Sequence, residues 1–221
     1  MTAPLVYFLL AAVLALPGLG VKDPRLSLWL FGRSLQNRAL DAEERRTVTD
    51  YLSALERSDA LKGPAARTKF MIDSLSVGSV APEITGTDLD GVRFSLSDYR
   101  GKVVLLTFSG DWCGICRAQY PVERRLQELY GAGRAPFVIL SVDSGASARE
   151  SRAALAREGL TYRAWWDGGG DKPTAGPIAT EWNVVGWPAT YLIDEHGVIR
   201  HVDLLGADLA TAVDALLQKL K

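Results

Sequence analysis

The pattern of apolar and polar residues changes near residue 77. Before that point, apolar residues such as Val48 and Leu52 recur at helical spacing. After it, short apolar runs at 103–108 and 137–142 alternate with segments that carry one apolar helical face. The pattern predicts a helical segment over 22–75, followed by an α/β domain over 76–221.

In the first of these segments, Asp41 followed by Glu44 resembles a capping box and predicts the start of a helix. Gly63 and Pro64 predict the end of that helix and the start of another one, which continues to Leu75.

The second segment alternates predicted strands and helices. In chain order, the predicted elements are a hairpin over 83–95, a strand over 103–108, a helix over 117–130, a strand over 137–142, a helix over 146–158, a strand over 160–166, a short helix over 174–183, a hairpin formed by 189–194 and 198–203, and a closing helix with Leu209, Val213 and Leu216 on one face. This order predicts a sandwich of helices packed on a mixed sheet.

Residues 1–21 carry no charged side chain, and Leu5 to Leu16 is a continuous apolar run. The length of this run is typical of the core of a signal peptide, and with its flanks it just reaches the length of a membrane span. We therefore expect 1–21 to be a signal peptide or a membrane anchor, which would place the protein outside the cytoplasm, membrane-anchored or periplasmic. The alternative is a buried helix that belongs to a longer helical region.

The chain has 221 residues, of which 48% are hydrophobic, so it is long enough to bury a sizeable core. Its net charge of −1 provides no basic surface for nucleic acid. We expect no nucleic-acid partner.

The only two cysteines are Cys113 and Cys116, in the run Trp112-Cys113-Gly114-Ile115-Cys116 between a predicted strand and a predicted helix. A helix N-terminus stabilises a thiolate and makes the first cysteine nucleophilic. The second cysteine, one turn later, is placed to attack the resulting mixed disulfide. The pattern predicts a redox site whose working group is the Cys113–Cys116 disulfide, with no cofactor.

Three other interpretations of the cysteines fit the sequence less well. Buried cysteines can fill a core, but a strand-to-helix junction beside Trp112 is a poor place for inert packing. A zinc site needs four ligands, and His196 and His201 are the only histidines. A purely structural disulfide across so short a loop would constrain little of the unfolded chain.

The order of a hairpin, an apolar strand, W-C-x-x-C, a helix containing Pro121 and a late Gly-Trp-Pro at 186–188 resembles the thioredoxin fold. Residues 96–102 and 191–197 resemble more specifically the redoxin branch, which includes the AhpC/TSA grouping and the TlpA/ResA-like thiol–disulfide oxidoreductases. The resemblance implies a thioredoxin-like αβα sandwich with a mixed central sheet over residues 77–221.

The resemblance also implies roles for individual residues. Cys113 corresponds to the attacking cysteine, Cys116 to the resolving cysteine and Pro188 to a cis-proline that faces the dithiol. Trp112, Trp187 and Pro188 are expected to contact the substrate, with the backbone of Trp187 making strand-like contact. The implied partners are disulfide-containing protein substrates and a thiol electron donor, with possible membrane association through 1–21.

The chain departs from thioredoxins beside the dithiol. Ile115 stands where thioredoxins have proline, and Thr107 stands where they have a buried aspartate. The proton acceptor for Cys116 is therefore left open.

Two other functions on the same fold stay open as alternatives. A peroxidase of the peroxiredoxin type needs Thr or Ser three residues before the attacking cysteine, where this chain has Gly110. A copper chaperone would use the soft thiolates for Cu(I), with His201 as a candidate third ligand, although related carriers have wider cysteine spacing. The resemblance favours disulfide reduction.

Overall fold

The computed structural model describes residues 23–168 and 176–220. They divide into two compact units, with the boundary between Val80 and Ala81. The predicted signal peptide or anchor over 1–21 lies outside the described residues. Within the described part of the chain, no helix is both long and apolar enough to cross a membrane.

In the first unit, residues 23–80 are described, and they contain three helices. They are α1 (Pro24–Gln36), α2 (Ala42–Leu55) and α3 (Lys62–Ser74). The predicted capping box is present, since the Asp41 carboxylate accepts from the backbone of Glu44 and the Glu44 carboxylate accepts from the backbone of Asp41. The apolar faces of the three helices enclose a core of Leu28, Phe31, Leu35, Val48, Leu52 and Ile72.

The prediction that Gly63 and Pro64 end a helix was wrong. Helix α2 already ends at Leu55, and both residues lie in the first turn of α3. A proline is tolerated there because the first backbone N–H groups of a helix have no partner within it.

The described residues of the second unit form two sheets. A small antiparallel hairpin pairs β1 (Thr85–Thr87) with β2 (Arg93–Ser95). The main sheet contains β3 (Val103–Ser109), β4 (Phe137–Asp143), β5 (Arg163–Trp166), β6 (Ala189–Ile193) and β7 (Ile199–Val202), in the order β5-β4-β3-β6-β7. Strands β3, β4 and β5 are parallel, whereas β6 and β7 are antiparallel to their neighbours, so the sheet is mixed as predicted.

Among its described residues, this unit has a short 3-10 helix (Leu96–Tyr99) and four α-helices: α4 (Gly114–Tyr130), α5 (Ala148–Arg157), α6 (Pro177–Glu181) and α7 (Gly206–Gln218). Residues 174 and 175 of the predicted short helix lie outside the described part. One face of the sheet packs against α4 and α7 through a cluster that includes Val103, Leu105, Leu126, Ile139 and Val213. The other face carries the aromatic rings of Phe108, Trp182 and Tyr191. The predicted α/β fold, with a mixed sheet and a preceding helical segment, is confirmed.

Strands β3, β4 and β5 end at the same edge of the sheet, because Ser109 is paired with Asp143 and Asp143 with Trp166. In open α/β sheets, this carboxyl edge is where loops build ligand sites. The run from Trp112 to Cys116 begins just beyond it.

Candidate active site

The two cysteines occupy the junction between β3 and α4 and are joined by a disulfide, with their Cα atoms 5.2 Å apart. Cys113 is the N-cap of α4, and its Sγ accepts a hydrogen bond from the backbone N–H of Cys116 at 3.1 Å. In the reduced protein, the same N–H and the helix dipole would stabilise a thiolate at Cys113.

The two sulfurs differ in access to solvent. Cys113 is 7% exposed, whereas Cys116 is 1% exposed on the buried face of α4. A substrate disulfide can therefore reach Cys113 more readily than Cys116. This asymmetry is what an attacking and a resolving cysteine require.

Trp112 lies beside the disulfide with 46% of its surface exposed. Its indole N–H donates to the carbonyl oxygen of Ser144 at 3.1 Å. The ring also packs on Gly110, where an added Cβ would lie 2.5 Å from the indole nitrogen. Any side chain at position 110 would displace Trp112, so Gly110 and the position of this indole depend on each other.

The loop that precedes β6 brings Trp187 and Pro188 to the same place. The Trp187–Pro188 peptide bond is cis. The Trp187 indole N–H donates to the hydroxyl of Ser144 at 3.3 Å, and its ring centroid lies 5.9 Å from that of Trp112. The fold thus brings together Trp112 and Trp187, which are 75 residues apart in the sequence.

Ser144 holds both indoles through two different groups, its carbonyl and its hydroxyl. It follows directly after β4 and is fully buried, and its own N–H donates to the carbonyl of Ser109 at 2.9 Å. The neighbouring Gly145 carbonyl accepts from the indole of a third tryptophan, Trp166, at 2.9 Å. This short turn therefore holds the indoles of three tryptophans, of which Trp112 is next to Cys113 in the sequence.

A recess of about 650 Å³ lies next to Trp112. Its wall includes Asp111, Asp143 and Arg157. The Arg157 guanidinium contacts both carboxylate oxygens of Asp111 at 2.9 Å. The recess is large enough to hold an amino-acid side chain.

Asp143 is a buried carboxyl at the end of β4. Burial raises its pKa, the hydrogen bonds from the Ser151 hydroxyl and the Gly145 N–H oppose that rise, and the charge of Asp111 adds to it.

A second buried carboxyl, Glu123, lies two helical turns beyond Cys116 on the same buried face of α4. It accepts a hydrogen bond from the Tyr162 hydroxyl at 2.7 Å. Burial raises the pKa of Glu123 to about 7, although the hydrogen bond from Tyr162 acts in the opposite direction.

Ser144, Asp143 and Glu123 were not identified from the sequence. A signal was present for two of them. Asp143 ends an apolar strand, and Glu123 is seven residues after Cys116, which places it on the same helix face. Ser144 had no local signal, since its partners are 32 and 43 residues away.

His201, the candidate copper ligand, lies in β7, where it is paired with Leu192 of β6. Across residues 23–168 and 176–220, no cluster of three or more His, Cys, Asp and Glu side chains is arranged to hold a metal ion.

Comparison with known proteins identifies relatives of this chain. The chain is 33% identical over 125 residues to the thioredoxin-like protein YneN of Bacillus subtilis, a match that covers 57% of this chain and 69% of the relative. It is 33% identical over 129 residues to the thiol-disulfide oxidoreductase ResA of Geobacillus kaustophilus, covering 58% and 70% of the two chains.

Solved structures of thiol-disulfide oxidoreductases are also similar to this chain. The thioredoxin domain of a thiol-disulfide oxidoreductase from Bacteroides vulgatus superposes with a TM-score of 0.57 at 29% identity, covering 65% of this chain and 99% of that one. A thiol:disulfide interchange protein from a Bacteroides species superposes with a TM-score of 0.52 at 27% identity, covering 65% and 91%. The predicted thioredoxin-like fold is confirmed.

The function predicted from the sequence is supported in the same way. ResA of Geobacillus kaustophilus and the protein from Bacteroides vulgatus, at 33% and 29% identity, are both thiol–disulfide oxidoreductases. The Cys113–Cys116 pair fits dithiol exchange. The profile of the AhpC/TSA family matches residues 77–202, more than half of the sequence. The chain belongs to the AhpC/TSA family, in its thioredoxin-like, thiol–disulfide oxidoreductase branch.

Proposed function

We propose that this protein reduces disulfides in protein substrates through a Cys113–Cys116 dithiol. The observation that carries the proposal is the asymmetry of the pair: Cys113 caps the helix and is partly accessible, whereas Cys116 is buried one turn later. The Cys113 thiolate attacks the substrate disulfide and forms a mixed disulfide, releasing one substrate thiolate. Cys116 then attacks Cys113 Sγ, which releases the second substrate thiolate and leaves the enzyme disulfide.

Trp112, Trp187 and Pro188 are proposed to orient the substrate chain. Two observations support this role: the two indoles adjoin each other, and both are fixed by Ser144. Amphipathic aromatic surfaces of this type bind polypeptides with little loss of side-chain entropy. A thiol donor from another protein would return the disulfide to the dithiol.

Insulin-disulfide reduction in the presence of a small dithiol tests the proposal. Cys113→Ser is expected to reduce the rate to that of the uncatalysed reaction, since the one remaining cysteine, Cys116, is buried. Cys116→Ser is expected to accumulate a mixed disulfide with the substrate that mass spectrometry detects. An unchanged rate for Cys113→Ser would remove the proposal.

A peroxidase function is disfavoured by a specific contact. The residue that such enzymes need three positions before the attacking cysteine is here Gly110, and a side chain there would collide with the Trp112 indole. Peroxide consumption with a thiol donor is expected to stay at the background rate. Consumption that depends on Cys113 would favour the peroxidase instead.

We also propose that the protein acts outside the cytoplasm. Residues 1–21 would serve either as a membrane anchor or as a signal peptide. The support is the uncharged, apolar composition of that segment. Cell fractionation of the full chain and of a version lacking residues 2–21 tests this. Equal recovery of both in the soluble cytoplasm would contradict it.

A further inference from the structure

A row of buried polar side chains lies between the sheet and α4, directly behind the dithiol. It consists of Thr107 and Ser109 of β3, Ser141 and Asp143 of β4, and Tyr120 and Glu123 of α4. We call this set the polar seam. All six side chains are buried, in a layer whose other end is packed with aliphatic residues.

Helix geometry aligns the seam with the resolving cysteine. Cys116, Tyr120 and Glu123 are the first three buried residues of α4, at spacings of four and three, so they form one row along the helix. Seven residues advance a helix by about 10 Å, and helical side chains lean toward the N-terminus. Glu123 therefore lies in the same buried row as Cys116, with Tyr120 in between.

The strands supply hydroxyls beneath the same stretch. Helix α4 runs antiparallel to β3, so Cys116 lies over the carboxyl end of the strand, while Leu126 joins the cluster of Leu105 near its amino end. Thr107 therefore lies below the stretch that carries Tyr120 and Glu123. Thr107 is paired directly with Ser141 on β4.

These two hydroxyls are unusual for a protein interior. The Thr107 Oγ1 and Ser141 Oγ atoms are fully buried and have no hydrogen-bond partner among the described residues. Buried hydroxyls normally find a partner, and adjacent ones without a protein partner are suited to holding an internal water. The Tyr120 hydroxyl, in contrast, is hydrogen-bonded to Ser109.

The resolving step requires a base in this region. In the mixed disulfide, Cys116 must lose its thiol proton before its sulfur can attack Cys113 Sγ, since the thiolate is the nucleophile. Cys116 is buried, so bulk water has little access to that proton. The position of the buried aspartate of thioredoxins is occupied by Thr107, which is not a base.

We propose that Glu123 accepts the Cys116 proton during resolution, through the hydroxyls of the polar seam and the water they bind. The inference depends on the proposed dithiol exchange and adds the base that this exchange needs. The Cys116 S–H bond breaks, the proton passes to the Glu123 carboxylate, and the new thiolate attacks Cys113 Sγ. The Cys113–Cys116 bond forms, the bond to the substrate sulfur breaks, and two electrons have passed from the dithiol to the substrate. Glu123 then returns its proton to solvent or to the departing thiolate.

The ionisation of Glu123 suits this role. Burial raises its pKa to about 7, so a substantial fraction is available as carboxylate near neutral pH and can also be protonated. Three titratable groups act on the pKa of Glu123 or on that of its partner Tyr162: Tyr162 itself, just before β5, Tyr120 on the same helix and Asp143 at the end of β4. Burial holds the pKa of Tyr120 at about 12 and that of Tyr162 well above its usual value, so both stay neutral hydroxyl donors.

The experiment follows the reduced protein as it reacts with Ellman's reagent in a stopped-flow instrument. Attack by Cys113 releases the first chromophore, and attack by Cys116 on the mixed disulfide releases the second. In the wild type, the second phase is expected to accelerate with pH through an inflection near 7. Glu123→Gln is expected to remove the inflection and to slow the second phase at neutral pH by roughly tenfold or more, leaving the first phase unchanged.

Two further variants separate proton transfer from simple packing. Tyr162→Phe keeps the carboxyl of Glu123 but removes its hydrogen bond, so the inflection of the second phase should move to higher pH. This variant tests the role of Glu123 even if Glu123→Gln does not fold. Asp214→Asn is the matched control, because Asp214 accepts a hydrogen bond from Tyr130 of α4 at 2.7 Å, away from the seam. It should leave both phases unchanged.

A second phase in Glu123→Gln with the rate and pH profile of the wild type would overturn the inference, as would an equal loss in Asp214→Asn. Failure of the proposed function would look different. In that case the wild type would lack a second phase, or Cys116→Ser would still release two chromophores.

Discussion

The helix-covered face of the two central strands is apolar at its amino end and polar at its carboxyl end. The apolar half holds Val103, Leu105, Phe137 and Ile139, and the polar half holds Thr107, Ser109, Ser141 and Asp143. Both strands change at the same level of the sheet, because Leu105 is paired with Ile139 and Thr107 with Ser141. One half of this layer supplies the burial that stabilises the fold, and the other half lies behind the dithiol.

The polar half carries a cost that the apolar half does not. A buried hydroxyl or carboxyl loses its hydration and regains only what its new partners provide. In the seam, Thr107 and Ser141 have no partner among the described residues, and Glu123 is held where burial disfavours its charged form. Polar groups retained at such a cost next to a reactive pair point to a role in the chemistry of that pair.

The largest effect on the free energy of unfolding is expected when a side chain of the apolar half is shortened. Leu105→Ala is expected to lower the free energy of unfolding by about 3 kcal/mol, because it leaves a cavity in a fully buried cluster. The rates of both phases with Ellman's reagent should stay unchanged below the unfolding transition. Chemical denaturation and stopped-flow kinetics measure the two effects, and a matching loss of rate would contradict the division of roles.

The pH dependence of stability isolates the cost of Glu123. The pKa of this group rises from 4.5 to about 7 on folding, so its contribution to stability is fully present below pH 4.5 and is lost as the pH rises through 7. The loss amounts to about 3 kcal/mol.

Denaturant unfolding of the oxidised protein across that pH range measures this loss. Glu123→Gln should remove the corresponding part of the decline, whereas Asp214→Asn should keep it. Parallel stability curves for the wild type and Glu123→Gln would show that folding does not raise the pKa of the Glu123 carboxyl.

A smaller change is expected from Thr107→Val, which removes the hydroxyl and keeps the shape of the side chain. Because this hydroxyl has no partner among the described residues, the free energy of unfolding should change by less than about 1 kcal/mol. The second phase with Ellman's reagent should nevertheless be slower, since one relay group is missing. Leu105→Ala is the comparison, as it should show the reverse: lower stability and an unchanged rate.

The smallest effect is expected outside the seam, at the exposed ion pair of Arg157 with Asp111. Exposed pairs of this type are screened by water and salt. Arg157→Gln should leave the midpoint of denaturation and the second phase unchanged within experimental error. A slower second phase in this variant would show that the rim of the recess also takes part in resolution.

Local sequence features predicted much of the fold and the reactive pair. The runs at 103–108 and 137–142 were identified as strands because they are short and apolar, and the dithiol because both cysteines stand at a strand-to-helix junction. Helix boundaries were predicted less well: α2 ends at Leu55, not at Gly63 and Pro64.

The surroundings of the dithiol depend on contacts between residues that are far apart in the sequence. Local patterns in one sequence do not reveal such contacts. Ser144 holds Trp112 and Trp187 only because the end of β4 and the loop before β6 meet at one edge of the sheet. Glu123 has a raised pKa only because its side of α4 faces the sheet and Tyr162. Helical spacing indicates that Glu123 lies on the same face of α4 as Cys116. It does not indicate that hydroxyls of β3 and β4 lie opposite that face.

The most direct test of the account is the redox equilibrium of the Cys113–Cys116 pair in glutathione buffers, with the thiol fraction measured by alkylation and mass spectrometry. The account predicts one reversible two-electron transition, with a potential near that of thioredoxin, about −270 mV, as expected for a protein that passes electrons to other disulfides. A potential nearer −120 mV would describe an oxidant and contradict the proposed direction. The absence of any transition would contradict the dithiol exchange itself.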